Sequence, residues 1–519
     1  MQVEKIELSK TNSFSSFFID YISNKKELAD FYGHRPEIAN FKDQIDQKNF
    51  STSNRRVLHD VLNKQYAQIE KPSAVDANIN SLLDENTYTI TTGHQLNIFT
   101  GPLYFIYKII TVLNTCKALK SKYPENNFVP VYWMASEDHD FEEINHFNLF
   151  GKKYSWNSDQ KGAVGRFNTE TIKDLLKELP EQSLLFEKAY TEFDCLSDAV
   201  RFYVNELFGQ EGVIVLDADD RSLKAQFSTV ITDDLVNHHA NDLVEETSSK
   251  LTSLGYGAQV FPRAINFFYL AGDIRERIVK EDSNWNVLNT ELSFSEEKIK
   301  LLIQNEPEKF SPNVVMRPLY QEVILPNLAY VGGPAEVIYW MQLKAVFEKY
   351  MVPFPILMPR NFGLVVNKPA LKKMNKFGYE SEDLFQKVED LRAEYLTKNG
   401  SKEIDFSEEK NELQQLFDKL SAKALDIDGS LKGFIGAEAS KAQKSLDIIE
   451  KRLKKAEEEK HEVALNQIAG LIEKLFPNGG PQERTDNFLN FYFNNSEFVN
   501  ELIQLFDPFD YRMHVFTER

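Results

Sequence analysis

The side chains best suited to chemistry fall in two clusters about 45 residues apart. The first runs from Thr92-Gly93-His94-Gln95 to Phe99-Thr100-Gly101-Pro102, with Asn97 between. Pro102 fits the first position of a helix, where a missing N–H costs nothing. Thr100 and Gly101 then stand at a helix end whose free N–H groups and dipole can hold a phosphate or carboxylate. His94, Gln95 and Asn97 add hydrogen-bonding side chains that can read a ligand. Gly332-Gly333-Pro334 repeats the design further along. The plainer alternative is a pair of tight turns in which glycine supplies special backbone angles. Two such loops in one sheet favour ligand binding.

The second cluster is Ser136-Glu137-Asp138-His139-Asp140-Phe141-Glu142-Glu143, with His146 just beyond. If Glu137–His146 is helical, His139 and Glu143 share a face, as do Glu142 and His146. Mixed His and carboxylate ligands suit zinc or another transition ion. The segment lacks H-E-x-x-H, however, and no metal site is assigned to it. Asp138 or Asp140 can serve as a general base or hold a substrate amine without any metal, with His139 as a neighbouring ligand contact. An acidic, solvated helix start is the third reading. Arg317 and Arg360 lie near later strand ends, where a planar guanidinium can grip a carboxylate or phosphate.

Each cluster must be positioned by the element before it. The apolar runs Tyr88–Thr91 and Val129–Trp133 read as strands, joined by a long apolar helix pattern. Val213–Leu216, Asn327–Val331 and Ile356–Met358 continue the alternation, which indicates a mainly parallel sheet. Ligands bind such sheets where strands end and helices begin. Residues 1–87 read as a mostly helical part of the core, 88–220 and 311–374 as its two Rossmann-like halves, and 221–310 as an inserted connecting segment. Within that segment Phe267–Leu270 and Ile274–Val279 flank a hairpin turn at Ala271-Gly272-Asp273. From 375 to 476, apolar and alanine positions recur in steps of three and four, a coiled-coil signature. Gly429, Gly433 and Gly436 mark a break that would fold this arm into a hairpin. Residues 477–519, rich in Phe and Tyr, should dock back on the core. The fold class is therefore α/β, a Rossmann-like core with inserted segments plus a C-terminal helical coiled-coil arm.

With 519 residues, 42% of them hydrophobic, the chain can bury several structural units. A net charge of −19 argues against nucleic-acid binding. Two cysteines, Cys116 and Cys195, exclude a disulfide framework, and Cys116 reads as a core thiol. Met1–Lys5 lacks a signal-peptide layout and no apolar run spans a bilayer, so the expected setting is cytoplasmic, without membrane contact.

Together these motifs resemble the bacillithiol biosynthesis cysteine-adding enzyme family. The resemblance rests on Thr92–Gln95 with Phe99–Tyr104, on Pro130–Trp133 leading into Glu137–Asp140, on Leu325–Asn327 through Gly332–Glu336, and on Pro481-Gln482-Glu483-Arg484. It spans nearly the whole chain. It implies a ligase that joins L-cysteine to the amine of glucosaminyl-malate, and a homodimer formed through the coiled coil. Amide formation from a free carboxylate needs activation, which makes ATP or ADP a possible ligand, with Mg as the one metal that could accompany it. Gly93-His94 is the single counterpart here of the His-containing nucleotide loop of class I aminoacyl-tRNA synthetases, and Lys372–Lys376 is a weak match to their lysine-rich loop. The site this reading favours has His94, Asp138 and Asp140 in chemical roles. Gly93, Gln95, Asn97, Thr100, Gly101, His139, Gly332, Gly333, Arg317 and Arg360 would bind substrate or anion. Two alternatives from other classes are a non-catalytic nucleotide- or metabolite-binding module with a partner-recruiting arm, and a metal-dependent amidohydrolase.

Overall fold

The computed structural model describes residues 1–400 and 404–518. They divide into two compact units, one of Met1–Ser9, Ser13–Leu364 and Gly480–Phe516, the other chiefly Val365–Gly479.

The first unit is built on five parallel strands: β1 (Thr87–His94), β2 (Asn127–Met134), β3 (Ile214–Asp217), β4 (Asn327–Gly332) and β5 (Ile356–Pro359). Their spatial order is β3-β2-β1-β4-β5, all parallel. The order reverses direction between β1 and β4, and in an open α/β sheet that switch point is where a crevice opens. β1 is threonine-rich yet buried on both faces, because its hydroxyls find acceptors inside the sheet. Thr89 and Thr91 donate to Asn327 Oδ1 at 3.1 and 2.8 Å, and Thr92 donates to the Val331 carbonyl at 2.8 Å. The expected strand Tyr88–Thr91 is thereby lengthened. Gly93 and His94 pair with Trp133 and Met134 and are the last rungs of β1, not loop residues.

Helix α1 (Tyr104–Lys122) crosses from β1 to β2 and buries nearly all of its residues to Cys116. The inserted segment carries a five-stranded antiparallel sheet, with Phe267–Ala271 and Ile274–Glu281 as its central hairpin. Gly272, at φ +58°, makes the turn between them. The N-terminal region opens with a strand, Gln2–Ile6, which joins Met513–Thr517 and Phe362–Val366 in a separate sheet. Its partners lie at the far end of the chain, so no local pattern announces it.

The second unit is helical. Ser407–Ile427 and Leu431–Lys460 form an antiparallel hairpin, in which Lys410 reaches Asp447 at 2.8 Å and Glu450 at 2.6 Å. The turn is confined to Asp428-Gly429-Ser430. Gly433 and Gly436 lie inside the second helix, correcting their expected place in the break. The lysines at 372–376 sit on helix Lys368–Phe377 rather than in a loop. Among the described residues no helix is long and apolar enough to cross a membrane.

Candidate functional site

A cavity of about 540 Å³ opens at the carboxyl ends of β1, β2 and β4. Five cationic side chains (Lys108, Arg275, Arg317, Arg360 and Arg484) and three carboxylates (Glu137, Asp138 and Glu336) line it. This local excess of positive charge stands against a whole-chain balance of −19.

Helix α1 brings Lys108 beneath the end of β1. Its ammonium donates to the Gly93 carbonyl at 2.8 Å and pairs with Glu336 at 2.5 Å. Glu336 sits on the first turn of helix α3 (Pro334–Met341), where its carboxylate accepts the Gly333 N–H at 2.8 Å and the Tyr330 hydroxyl at 2.6 Å. Burial opposes its charge, but Lys108 and these donors outweigh it and hold the carboxyl at about 2. Burial also draws the Lys108 ammonium downward, with Glu336 opposing.

Arg317 begins helix α2 (Arg317–Ile324) and enters a box of three aromatic rings, 5.6 Å from Trp133, 5.4 Å from Tyr330 and 5.7 Å from Trp340. Nη1 donates to Gln321 at 3.2 Å and the Tyr339 hydroxyl is a further side-chain partner of the guanidinium, while Nη2 meets no acceptor at full hydrogen-bond geometry among the described residues. Gly93 is needed here for close approach. A Cβ at that position would lie 3.2 Å from Arg317 Nη1 and 3.3 Å from the Tyr330 hydroxyl. Gly93→Ala is therefore expected to displace the guanidinium and lower kcat/KM by about tenfold with little change in melting temperature. Steady-state kinetics beside a thermal melt checks this.

His94 packs edge-on against Tyr104 and tilted against Phe105, and its Nε2 is buried without a partner among the described residues. Burial, reinforced by Lys108 and Arg360, depresses its pKa from 6.5 to about 3. The ring is neutral at neutral pH, able to hydrogen-bond a ligand but not to offer it a full charge. A depressed imidazole stabilises the fold fully above the ordinary histidine pKa and progressively less as pH falls toward the folded value. The urea midpoint should thus fall as pH drops from about 6.5 toward 5, and less so in His94→Gln.

On the opposite wall Asp138 accepts from Gln95 Nε2 at 2.6 Å and from the His139 backbone N–H at 2.7 Å, and pairs with Arg275 at 3.3 Å. Burial works against its charge, but these donors and Arg275 hold the carboxyl below the ordinary range. His139 Nδ1 takes a hydrogen bond from Arg275 at 2.6 Å. The same nitrogen lies 3.3 Å from Asp138 Oδ1. Glu137, ion-paired with buried Lys224, is pushed up by burial.

The structure gathers Gly93, His94, Gln95, Asp138, His139, Gly333, Arg317 and Arg360 on the cavity wall. It places others elsewhere. Asp140 is exposed and lines no part of the cavity, because the only helix in this segment is the single turn Phe141–Ile144, which starts after it. The helical pairings of His139 with Glu143 and Glu142 with His146 disappear for the same reason. Among the described residues no group of three or more His, Cys, Asp or Glu is arranged to hold a metal ion. Thr100 and Gly101 are buried off the cavity, and α1 starts at Tyr104 rather than Pro102. The Asn487 side chain donates to the carbonyls of Phe99 and Gly101 at 2.7 and 2.6 Å, and the Leu103 N–H donates to the Asp486 carbonyl at 2.7 Å. Gly332 stands behind the wall, its carbonyl accepting the Arg360 N–H at 2.9 Å. At the first helix end the Leu103 N–H is taken by the Asp486 carbonyl, and at the second the Gly333 N–H is taken by Glu336. The charged anion-binding groups of the cavity are Lys108 and its arginines.

Lys108, Arg275, Glu336 and Arg484 are wall residues that the sequence reading did not place in the site. Lys108 carried a signal, as the lone charge in the run Phe105–Val112. Arg484 belongs to the short helical turn Gln482–Arg484, in which Glu483 grips Arg360 at 2.5 Å and accepts the Gly363 N–H at 3.0 Å.

Comparison with known proteins agrees with this architecture. Residues 1–361 match the model of the bacillithiol biosynthesis BshC N-terminal Rossmann-like domain, and residues 363–518 that of its C-terminal coiled-coil domain. A Flavobacterium psychrophilum protein named "Putative cysteine ligase BshC" is 45% identical, over 98% of each chain. Its namesake in Christiangramia forsetii is 44% identical over 100% of this chain and 99% of its own. One from Bacillus thuringiensis is 29% identical over 96% and 97%. A parallel Rossmann-like sheet with its cavity at the switch point, followed by a helical hairpin, is matched along its full length, and the chain belongs to the BshC family of bacillithiol biosynthesis.

Proposed function

We propose that the chain is a cytoplasmic ligase that joins the carboxyl group of L-cysteine to the amine of glucosaminyl-malate, forming the amide of bacillithiol. The observation that carries this reading is the cationic cavity in an acidic protein. Malate brings two carboxylates, and Arg317 Nη2 and Arg360 Nε are buried donors without partners among the described residues. In this reading the arginines hold the malate, and ionised Asp138 orients the sugar ammonium. A carboxyl held below its ordinary range is a weak base, so Glu137, raised by burial, is better matched to accept the amine's proton near neutrality. Neutral His94 hydrogen-bonds the developing carbonyl oxygen. A nucleoside triphosphate is the proposed activating co-substrate, turning the carboxylate oxygen into a phosphorylated or adenylated leaving group that the amine expels.

Incubating the protein with cysteine, glucosaminyl-malate and ATP should yield a product one water lighter than cysteine and glucosaminyl-malate combined, read by mass spectrometry. The same mixture without ATP should yield none. His94→Ala and Asp138→Ala should each lose product formation while keeping the wild-type circular dichroism. No product from the wild type sinks the ligase reading, and full activity in both variants sinks the site assignment.

We also propose that the arm makes a homodimer. Leu420, Ile427, Phe434, Ile448 and Ile449 are apolar and exposed along it, the kind of surface that a second chain covers. Phe434→Glu with Ile448→Glu should halve the mass seen by sedimentation equilibrium. An unchanged mass overturns the proposal.

A further inference from the structure

A second, smaller cavity of about 300 Å³ adjoins the first and shares His94, Gln95, Tyr104 and Arg484 with it. Its own wall adds Asn97 and Glu143. Two acceptor oxygens here are buried without partners among the described residues, Gln95 Oε1 and Asn97 Oδ1. Their identity as oxygens is fixed by the other end of each amide. Gln95 Nε2 donates to the Asp138 carboxylate at 2.6 Å, and Asn97 Nδ2 donates to the Glu143 carbonyl at 3.0 Å. Neither partner can itself donate, so neither amide can be turned round. Asn97 is only 7% exposed, so its oxygen has little water to bond to. Two fixed acceptors beside the Glu143 carboxylate make a setting for a group that only donates, such as an ammonium. Arg484, on the wall common to both cavities, supplies the opposite charge.

We propose that this smaller cavity is the subsite for the α-amino acid. Its ammonium is held by Gln95, Asn97 and Glu143, and its carboxylate is turned toward Arg484 and His94 at the wall shared with the main cavity. The inference rests on the ligase reading for the amino acid's identity, but its geometry stands on the cavity alone. It places the bond-forming carbon at the boundary between the two cavities, within reach of an amine arriving from the larger one.

The test is equilibrium binding to the full-length protein, under reducing conditions, of L-cysteine and of 3-mercaptopropionate, which lacks the amine. Wild type is expected to bind cysteine at least tenfold more tightly. Glu143→Gln should erase most of that preference while leaving the affinity for glucosaminyl-malate within twofold. Glu143 is exposed, holds Asn97 through its backbone carbonyl and takes only a long 3.4 Å contact from Gln95 Nε2 on its side chain, so the variant keeps the loop, and Glu143→Ala repeats the measurement without any polar end. An unchanged preference in both variants overturns the subsite, as does a loss of glucosaminyl-malate binding in place of cysteine binding, or a wild type that does not distinguish the two thiols. Selective cysteine binding without amide product from any nucleotide would uphold the subsite and fail the ligase reading instead.

Discussion

Lys108→Met is expected to destabilise the protein by about 3–5 kcal/mol, the cost of leaving one member of a buried ion pair uncompensated, and to abolish amide formation. The methionine fills the space, but Glu336 keeps its charge with only Tyr330 and the Gly333 N–H as partners. The sign of its pH dependence should also reverse. In the wild type Glu336 is held at about 2, below its ordinary 4.5. Its contribution is therefore complete above about pH 4.5 and lost as pH falls through the folded value. Without Lys108, burial dominates and lifts the carboxyl above its unfolded value. The variant then regains stability in acid and loses it as pH rises. The double variant Lys108→Met with Glu336→Gln should recover most of the stability, since replacing both charges removes the penalty that replacing one creates. It should not recover activity, because the donor beneath Gly93 is gone. Urea melts across pH with the product assay decide this. A double variant no more stable than Lys108→Met would show that the pair is not the source of the loss.

Arg317→Met should act in the opposite way on stability and as strongly on function. The guanidinium has Gln321 and the Tyr339 hydroxyl as its side-chain partners and leaves Nη2 without an acceptor at full hydrogen-bond geometry among the described residues. Replacing it by an apolar side chain of similar length inside three aromatic rings should leave the melting temperature unchanged or raised. The KM for glucosaminyl-malate should rise by about ten- to a hundredfold, the worth of one charge-assisted hydrogen bond, while the KM for cysteine stays. Arg317→Lys is not expected to rescue it, because an ammonium lacks the planar fork that lies flat between rings. A rise in the cysteine KM instead would move the malate away from Arg317.

The parallel sheet was legible because its strands are short β-branched and aromatic runs closed by glycine or acidic residues. The hairpin at Gly272 was legible for a similar reason, a glycine at the one position that needs positive φ. His94, Asp138 and Arg317 could be nominated because polar residues follow directly on strands or start a helix. What failed was whatever depended on distant partners. The helix expected at Pro102 begins later because Asp486 and Asn487, nearly four hundred residues away, bind the loop's backbone. Asp140 looked equivalent to Asp138 in sequence, but one extra residue carries it past the Gln95 and Arg275 side chains that turn Asp138 inward. Lys108 was hidden in an apolar helix because its counter-charge, Glu336, is contributed by another strand–helix junction.

Arg484 reaches the cavity, and Glu483 the Arg360 on its wall, from residues that follow the helical arm, although the rest of that wall is complete by Arg360. A growing chain therefore threads the whole arm through the ribosome before Arg360 meets its counter-ion. A product cut short anywhere in the arm would lack both Glu483 and Arg484. Such a fragment would hold no finished site. The site is thus completed, in the order of synthesis, by the segment beyond the arm.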